Sequence, residues 1–167
     1  MTADSFPFAY RQRVRFGETD MQGVVYYANY LLYAEVGRIA YLRALDIEYG
    51  RDLLSRGLDF TIGEASVRYR APLRFDEEFD IRVRVGELRS SSWSFEYAVD
   101  RADGERCAEM ETVQVVLDRE KARPTRFPAT FSVSSLRPSM YQKPSSSMRA
   151  QSPCTQVSGK RDQYVCR

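Results

Sequence analysis

The 167-residue chain contains no histidine. That removes every mechanism built on an imidazole, from Ser-His-Asp and Cys-His triads to histidine zinc sites. Acid–base chemistry must therefore use Asp, Glu, Tyr, Lys or Cys. The three cysteines, Cys107, Cys154 and Cys166, are widely spaced and form no C-x-x-C pair. Neither a disulfide framework nor a cysteine metal site is expected from them. No Gly-rich phosphate loop occurs, so no nucleotide cofactor is expected and the cofactor expectation is none. Chemistry concentrates instead in Gly17-Glu18-Thr19-Asp20-Met21-Gln22-Gly23, just ahead of a long apolar segment. Asp20 is a carboxylate able to serve as nucleophile or base. Gly23 lets the backbone come close to a ligand. A helix start beyond them offers unpaired N–H groups and a positive dipole end, suited to an oxygen that gains charge. The competing reading of Asp20 is a turn or capping residue.

The elements that must hold this segment follow from periodicity. Phe8, Tyr10, Gln12, Val14 and Phe16 alternate with Ala9 and the arginines 11, 13 and 15, which predicts a first strand. Tyr27 to Leu45 has no proline and is apolar almost all the way round, which predicts a long buried helix. Within it Gly37, Ala40 and Ala44 offer a side for close approach, and Glu35 is placed to pair with Arg38. A short helix is expected over Arg51–Arg56, ended by Gly57. Strands follow at Phe60–Ala71, with Ala65, Val67 and Tyr69 inward, then around Ile81–Val85, Trp93–Val99 and Ala108–Leu117. Asp103-Gly104 marks a hairpin. One strand, one apolar helix and then strands joined by short turns predict an α+β chain. Its expected form is the hotdog fold, an antiparallel sheet wrapped around the helix.

Composition divides the chain. Residues 1–128 carry 19 basic and 22 acidic side chains, whereas residues 129–167 carry 6 and 1. The second segment holds nine serines and shows no apolar periodicity. The expectation is one domain over 1–128 and a disordered, basic Ser/Pro-rich tail over 129–167. The net charge of +2 argues against a dedicated nucleic-acid binder. No signal peptide or membrane span is read, so a cytoplasmic location is expected.

The segment from Phe16 to Tyr30 resembles the signature of the 4-hydroxybenzoyl-CoA thioesterase family of hotdog enzymes, roughly aromatic-x-x-T/A-D-x-x-G-V/I-V-Y-x-x-N-Y. Phe16, Asp20, Gly23, Val24, Val25, Tyr26, Asn29 and Tyr30 fit it. The resemblance continues through Glu64-Ala65-Ser66-Val67-Arg68-Tyr69-Arg70-Ala71-Pro72 and on to Asp76, and covers 1–128. Tyr27 stands where many bacterial members have histidine, which shifts the subgroup. The resemblance implies an acyl-CoA thioesterase that releases a carboxylic acid and free CoA. Asp20 would be nucleophile or general base, the backbone N–H of Tyr27 the oxyanion donor, and Gly23 a lining residue. A non-catalytic acyl-CoA or lipid binder on the same fold is the alternative.

Substrate contacts are expected from Tyr26, Asn29, Glu64, Arg89 and Ser91. Tyr26, Tyr27, Tyr30, Tyr33 and Phe60 suit an aryl or a fatty acyl group. Arg89, at a turn before Ser90-Ser91-Ser92, is the best candidate for a CoA phosphate. Arg68, Arg70, Arg82 and Arg84 more readily pair across the sheet with Glu96, Glu109 or Glu111. Glu64 is a secondary candidate nucleophile; Glu18 adjoins the motif, but Asp20 fits better. The expected partners are an acyl-CoA, with acyl-carrier-protein thioesters also open, and further copies of the chain in a dimer or homotetramer. No metal, nucleic acid or membrane partner is expected.

Overall fold

The computed structural model describes residues 6–127. The expected tail over 129–167 lies outside them. The elements are β1 (Phe8–Arg13), α1 (Asn29–Ala44), β2 (Leu58–Tyr69), β3 (Glu78–Leu88), β4 (Ser92–Arg101), β5 (Arg106–Asp118) and the short β6 (Arg123–Pro124). The strands form an antiparallel sheet in the order β1-β3-β4-β5-β2, with β6 pairing the end of β5. The sheet curls around α1, as expected for a hotdog fold.

Consecutive pairing of β3, β4 and β5 follows from their short connections and alternating patterns. Phe95 and Tyr97 of β4 and Ile81 and Val83 of β3 are fully or almost fully buried. Gly37 is what lets α1 lie directly on β3: a Cβ there would stand 2.5 Å from Cγ2 of Ile81. Tyr30, Tyr33, Ala34 and Tyr41 bury the same side of the helix. The buried Tyr97 hydroxyl meets Thr112 Oγ1 at 3.0 Å, so a polar group under the helix is satisfied within the sheet.

Several expectations are corrected. The helix is not buried all round: Leu31, Leu32, Val36 and Ile39 are exposed on the side away from the sheet. Ala44 is likewise exposed and takes no part in the close approach. Glu35 and Arg38 form no ion pair; the Arg38 guanidinium lies over the Phe60 ring instead, 5.4 Å from its centroid. In β2, Ala65 is exposed, and Tyr69, whose ring does turn inward against Tyr30 of α1, is still half exposed, because β2 is the edge strand of the sheet. A register shift between Ile62 and Glu64 further breaks its alternation. The strand β1 stops at Arg13, and Phe16 falls in a single 3-10 turn, 78% exposed. The short helical segment is a π turn, Tyr49–Leu53, followed by a 3-10 turn, Leu54–Arg56. It ends at Gly57 in the left-handed conformation, as anticipated.

Candidate active site

Asp20 lies half-buried on the loop between β1 and α1. The loop is a tight turn: Asp20 N–H donates to the Val24 carbonyl at 2.9 Å, and Gly23 N–H donates to the Asp20 carbonyl at 2.9 Å. Gly23 sits at φ 74°, where side chains are disfavoured, with no atom near enough to obstruct one. Glycine is needed there for backbone geometry rather than for space. The Asp20 carboxylate accepts one hydrogen bond, from Gln22 N–H to Oδ1 at 2.8 Å. Its Oδ2 makes no hydrogen bond among the described residues.

Two N–H groups follow it. The amides of Tyr26 and Asn29 are paired, to the carbonyls of Glu18 and Tyr26 respectively. Those of Tyr27 and Ala28, at the entrance to α1, have no acceptor among the described residues. A carboxylate and unpaired donors at a helix start therefore share one loop. The Tyr27 carbonyl is fixed from the other side by the Tyr69 hydroxyl at 3.0 Å. Tyr69 also packs edge-on against Tyr30, with centroids 5.2 Å apart. Tyr26 and Tyr27 are exposed and their rings are 4.5 Å apart. Tyr27, and more weakly the Asp20 charge, push the Tyr26 hydroxyl above the usual tyrosine range.

The residue that composition and spacing pass over is Glu18. It is 8% exposed, although it is charged. Oε2 accepts from the Arg15 N–H at 2.8 Å and from the Tyr33 hydroxyl at 2.9 Å, and Oε1 accepts from Arg15 Nε at 2.7 Å. Its carbonyl accepts from the Asn29 side-chain amide at 2.8 Å. One residue thus ties the end of β1, the loop bearing Asp20 and the first turns of α1 together. No local sequence signal marks this, because Tyr33 lies 15 residues along the chain. Burial of Tyr33, reinforced by Glu18, holds its hydroxyl in the neutral, donating form well above the ordinary tyrosine range.

The remaining candidates form a second group. Asp20, Gly23, Tyr26, Tyr27 and Asn29 are brought together, with the Asn29 amide engaged by Glu18. Glu64 lies on β2, five residues before Tyr69, or about 16 Å along an extended strand. Arg89 lies on the β3–β4 turn, near enough to Glu64 and Glu111 for their charges to raise its pKa after the larger effect of Glu87. It pairs with Glu87 at 2.7 Å on the surface. Ser91, in the same turn, accepts through its carbonyl from Val116 N–H at 2.9 Å. Arg70 and Arg84 pair with Glu109 and Glu96, as the cross-strand reading expects, and Arg82 pairs with Asp100. Cys107 is fully buried and burial pushes its thiol up to about 11, so it is no nucleophile at neutral pH. Among the described residues no group of three or more His, Cys, Asp or Glu could hold a metal ion.

The profile of the Thioesterase-like superfamily matches residues 14–134. The acyl-CoA thioester hydrolase YbgC of Escherichia coli O6:H1 is 29% identical over 124 residues, covering 74% of this chain and 92% of its own. Among solved structures, a hypothetical protein of Aquifex aeolicus, AQ1494, superposes with a TM-score of 0.70 at 30% identity, covering 78% of this chain and 100% of its own. The gentisyl-coenzyme A thioesterase BH1999 superposes with a TM-score of 0.65 at 28% identity, covering 74% of this chain and 98% of its own.

Proposed function

The chain belongs to the Thioesterase-like superfamily, and from that premise we propose that it is an acyl-CoA thioesterase with Asp20 as its reacting carboxylate. Membership of the narrower 4-hydroxybenzoyl-CoA thioesterase group is part of the same reading. The observation that carries it is the pairing, on one loop, of a carboxylate oxygen without a partner among the described residues and the unpaired N–H of Tyr27. Water and an acyl-CoA give a carboxylic acid and the CoA thiol. Asp20 either attacks the thioester carbon and expels the CoA thiolate, giving an anhydride that water opens, or takes a proton from a water whose oxygen bonds to that carbon as the CoA thiolate leaves; the thiolate takes up the released proton. On either route the carbonyl oxygen gains charge, and in this reading the unpaired Tyr27 amide at the start of α1 donates to it. Gly23 supplies the turn, and Tyr26 and Tyr69 border the acyl group.

The reading extends to assembly. The strand β2 is an edge strand, and Leu31, Leu32 and Val36 leave one side of α1 apolar and exposed. Both features suit burial against a second copy. Glu64 on β2 and Arg89 and Ser91 on the β3–β4 turn, a group apart from the Asp20 loop, then serve the CoA portion bound to a neighbouring copy. Light scattering at micromolar concentration tests this; a monomer counts against it.

The catalytic test is thiol release from a panel of aryl- and fatty acyl-CoAs. Asp20→Asn should keep its melting temperature while kcat falls on the order of 10²–10⁴-fold, with KM changed less. Glu64→Gln should retain most activity. Normal turnover by Asp20→Asn alongside an inactive Glu64→Gln would move the chemistry to Glu64. Saturable binding without hydrolysis of any thioester would make the chain a binder.

A further inference from the structure

A cavity of about 590 Å³ opens between the C-terminal half of α1, the following turn and the start of β2. Small-molecule sites commonly span about 300–1,000 Å³. It is separate from the Asp20 loop: Arg38 lies nine residues beyond Asn29, about 14 Å along the helix axis. Ile39, Leu42, Ile47 and Phe60 supply apolar walls. The charged lining residues are Arg38, Arg43, Asp46 and Glu48.

These charges are not equivalent. Asp46 is almost fully exposed at the rim and has Arg51 at 3.6 Å. Arg38 is half-buried, stacked over the Phe60 ring, and has no carboxylate partner among the described residues. It lies close enough to the Tyr97 hydroxyl to favour its ionised form, against the larger opposing effect of burial. On the same Phe60 ring Trp93 packs edge-on at 5.5 Å, and its buried Nε1–H has no acceptor among the described residues. A half-buried guanidinium that lines an open cavity without a counter-charge is a ready partner for an anion. Residues 129–167, with six basic side chains and one acidic, are poorly suited to supply the missing anion.

We propose that this cavity binds an unbranched aliphatic carboxylate, its head group paired with Arg38 and its chain lying along Ile39, Leu42, Ile47 and Phe60. Guanidinium and carboxylate match in geometry and charge, and the apolar walls take the hydrocarbon. The ligand belongs to the chemical class released by fatty acyl thioester hydrolysis, but the binding does not depend on that activity.

The probe is dodecanoate, titrated calorimetrically into the full-length protein below its micellar concentration. Dodecanol and dodecyl phosphate provide the same chain with other head groups. Saturable one-to-one binding is expected, weakened at least about tenfold by Arg38→Gln and less by Arg38→Lys. Dodecanol should bind more weakly than dodecanoate and be indifferent to Arg38→Gln. Leu42→Trp, which fills the groove and leaves Arg38 in place, should abolish both, and it decides the matter where Arg38→Gln does not fold. Undiminished dodecanoate binding by folded Arg38→Gln or by Leu42→Trp overturns the proposal, as does absence of saturable binding. Tighter binding of dodecyl phosphate reassigns the cavity to phosphate ligands. Tighter dodecanoate binding by a chain ending at Pro128 identifies the chain's own C-terminal segment as occupant. None of these outcomes bears on thioester hydrolysis, which the Asp20 variants test separately.

Discussion

The Tyr33 hydroxyl, on the second turn of α1, donates to Glu18 Oε2 at 2.9 Å. This bond ties the loop bearing Asp20 to α1. Glu18 is not proposed to act on substrate; it holds the Asp20 loop against the start of α1, the two parts of the proposed site. Replacing it with Gln keeps the volume but presents an amide to donors, so at least one buried bond is lost, at about 1–3 kcal/mol. Glu18→Gln is expected to lower kcat at least about tenfold with KM little changed, because a small misplacement of the reacting group is costly in rate. Tyr33→Phe should do the same more mildly, since Arg15 still holds the carboxylate. Measured kcat and KM for both variants, alongside melts, check this. A fall in melting temperature with normal kcat would make the bond structural only.

Tyrosines buried under the helix set an alkaline limit. Burial, before any nearby charge, pushes Tyr30 up to about 12 and pushes Tyr33 and Tyr97 upward as well. Unfolded tyrosines ionise near about 10. A group raised on folding contributes stability below its unfolded pKa and loses it as pH rises towards its folded value. Stability should therefore be flat up to about pH 10 and fall steeply between about 10 and 12. Absorbance at 295 nm should show these tyrosines ionising together with unfolding, and Tyr33→Phe should flatten the loss. Ionisation complete well before unfolding would contradict it.

Gly37 is the closest approach of α1 to the sheet. Gly37→Val pushes added carbons into Ile81 and Val83, whose Cγ2 atoms stand 2.5 and 3.1 Å from the point a Cβ would occupy. The expected cost is about 1–3 kcal/mol, read as a melting temperature lowered by several degrees. An unchanged melt would show that the helix can lift without penalty.

Composition predicts that residues 129–167 are dispensable for folding. A chain ending at Pro128 keeps Phe127, whose ring lies 5.4 Å from Trp93. It should melt and turn over as the full chain does. A cooperative loss of stability on truncation would show that the removed segment packs on the domain.

Much of this architecture is legible in residue order. The Asp20–Tyr30 stretch announces a turn and a helix start, and alternation in Ile81–Val85 and Trp93–Val99 fixes which side chains enter the core. The helix is harder to read. With apolar residues on every side, periodicity cannot distinguish a buried face from one left open, and Leu31 and Ile39 are open. Arg38 shows a second limit. Spacing offers Glu35, one turn away, but Phe60 and the core beneath it attract the guanidinium, and only the folded chain brings them together. Glu18 shows a third, since a buried carboxylate is defined by what closes around it.

The β2 edge has a consequence for handling the protein. Among the described residues, twelve positions of extended backbone end the sheet with one side unpaired, and Thr61 to Ser66 are exposed. Any extended segment of another molecule can add to that edge through main-chain bonds alone. Dilution, or a substitution that weakens orderly pairing, then leaves the strand available to irregular partners. Shelf life in solution will be set by what caps this strand, more than by how well the core beneath it is packed.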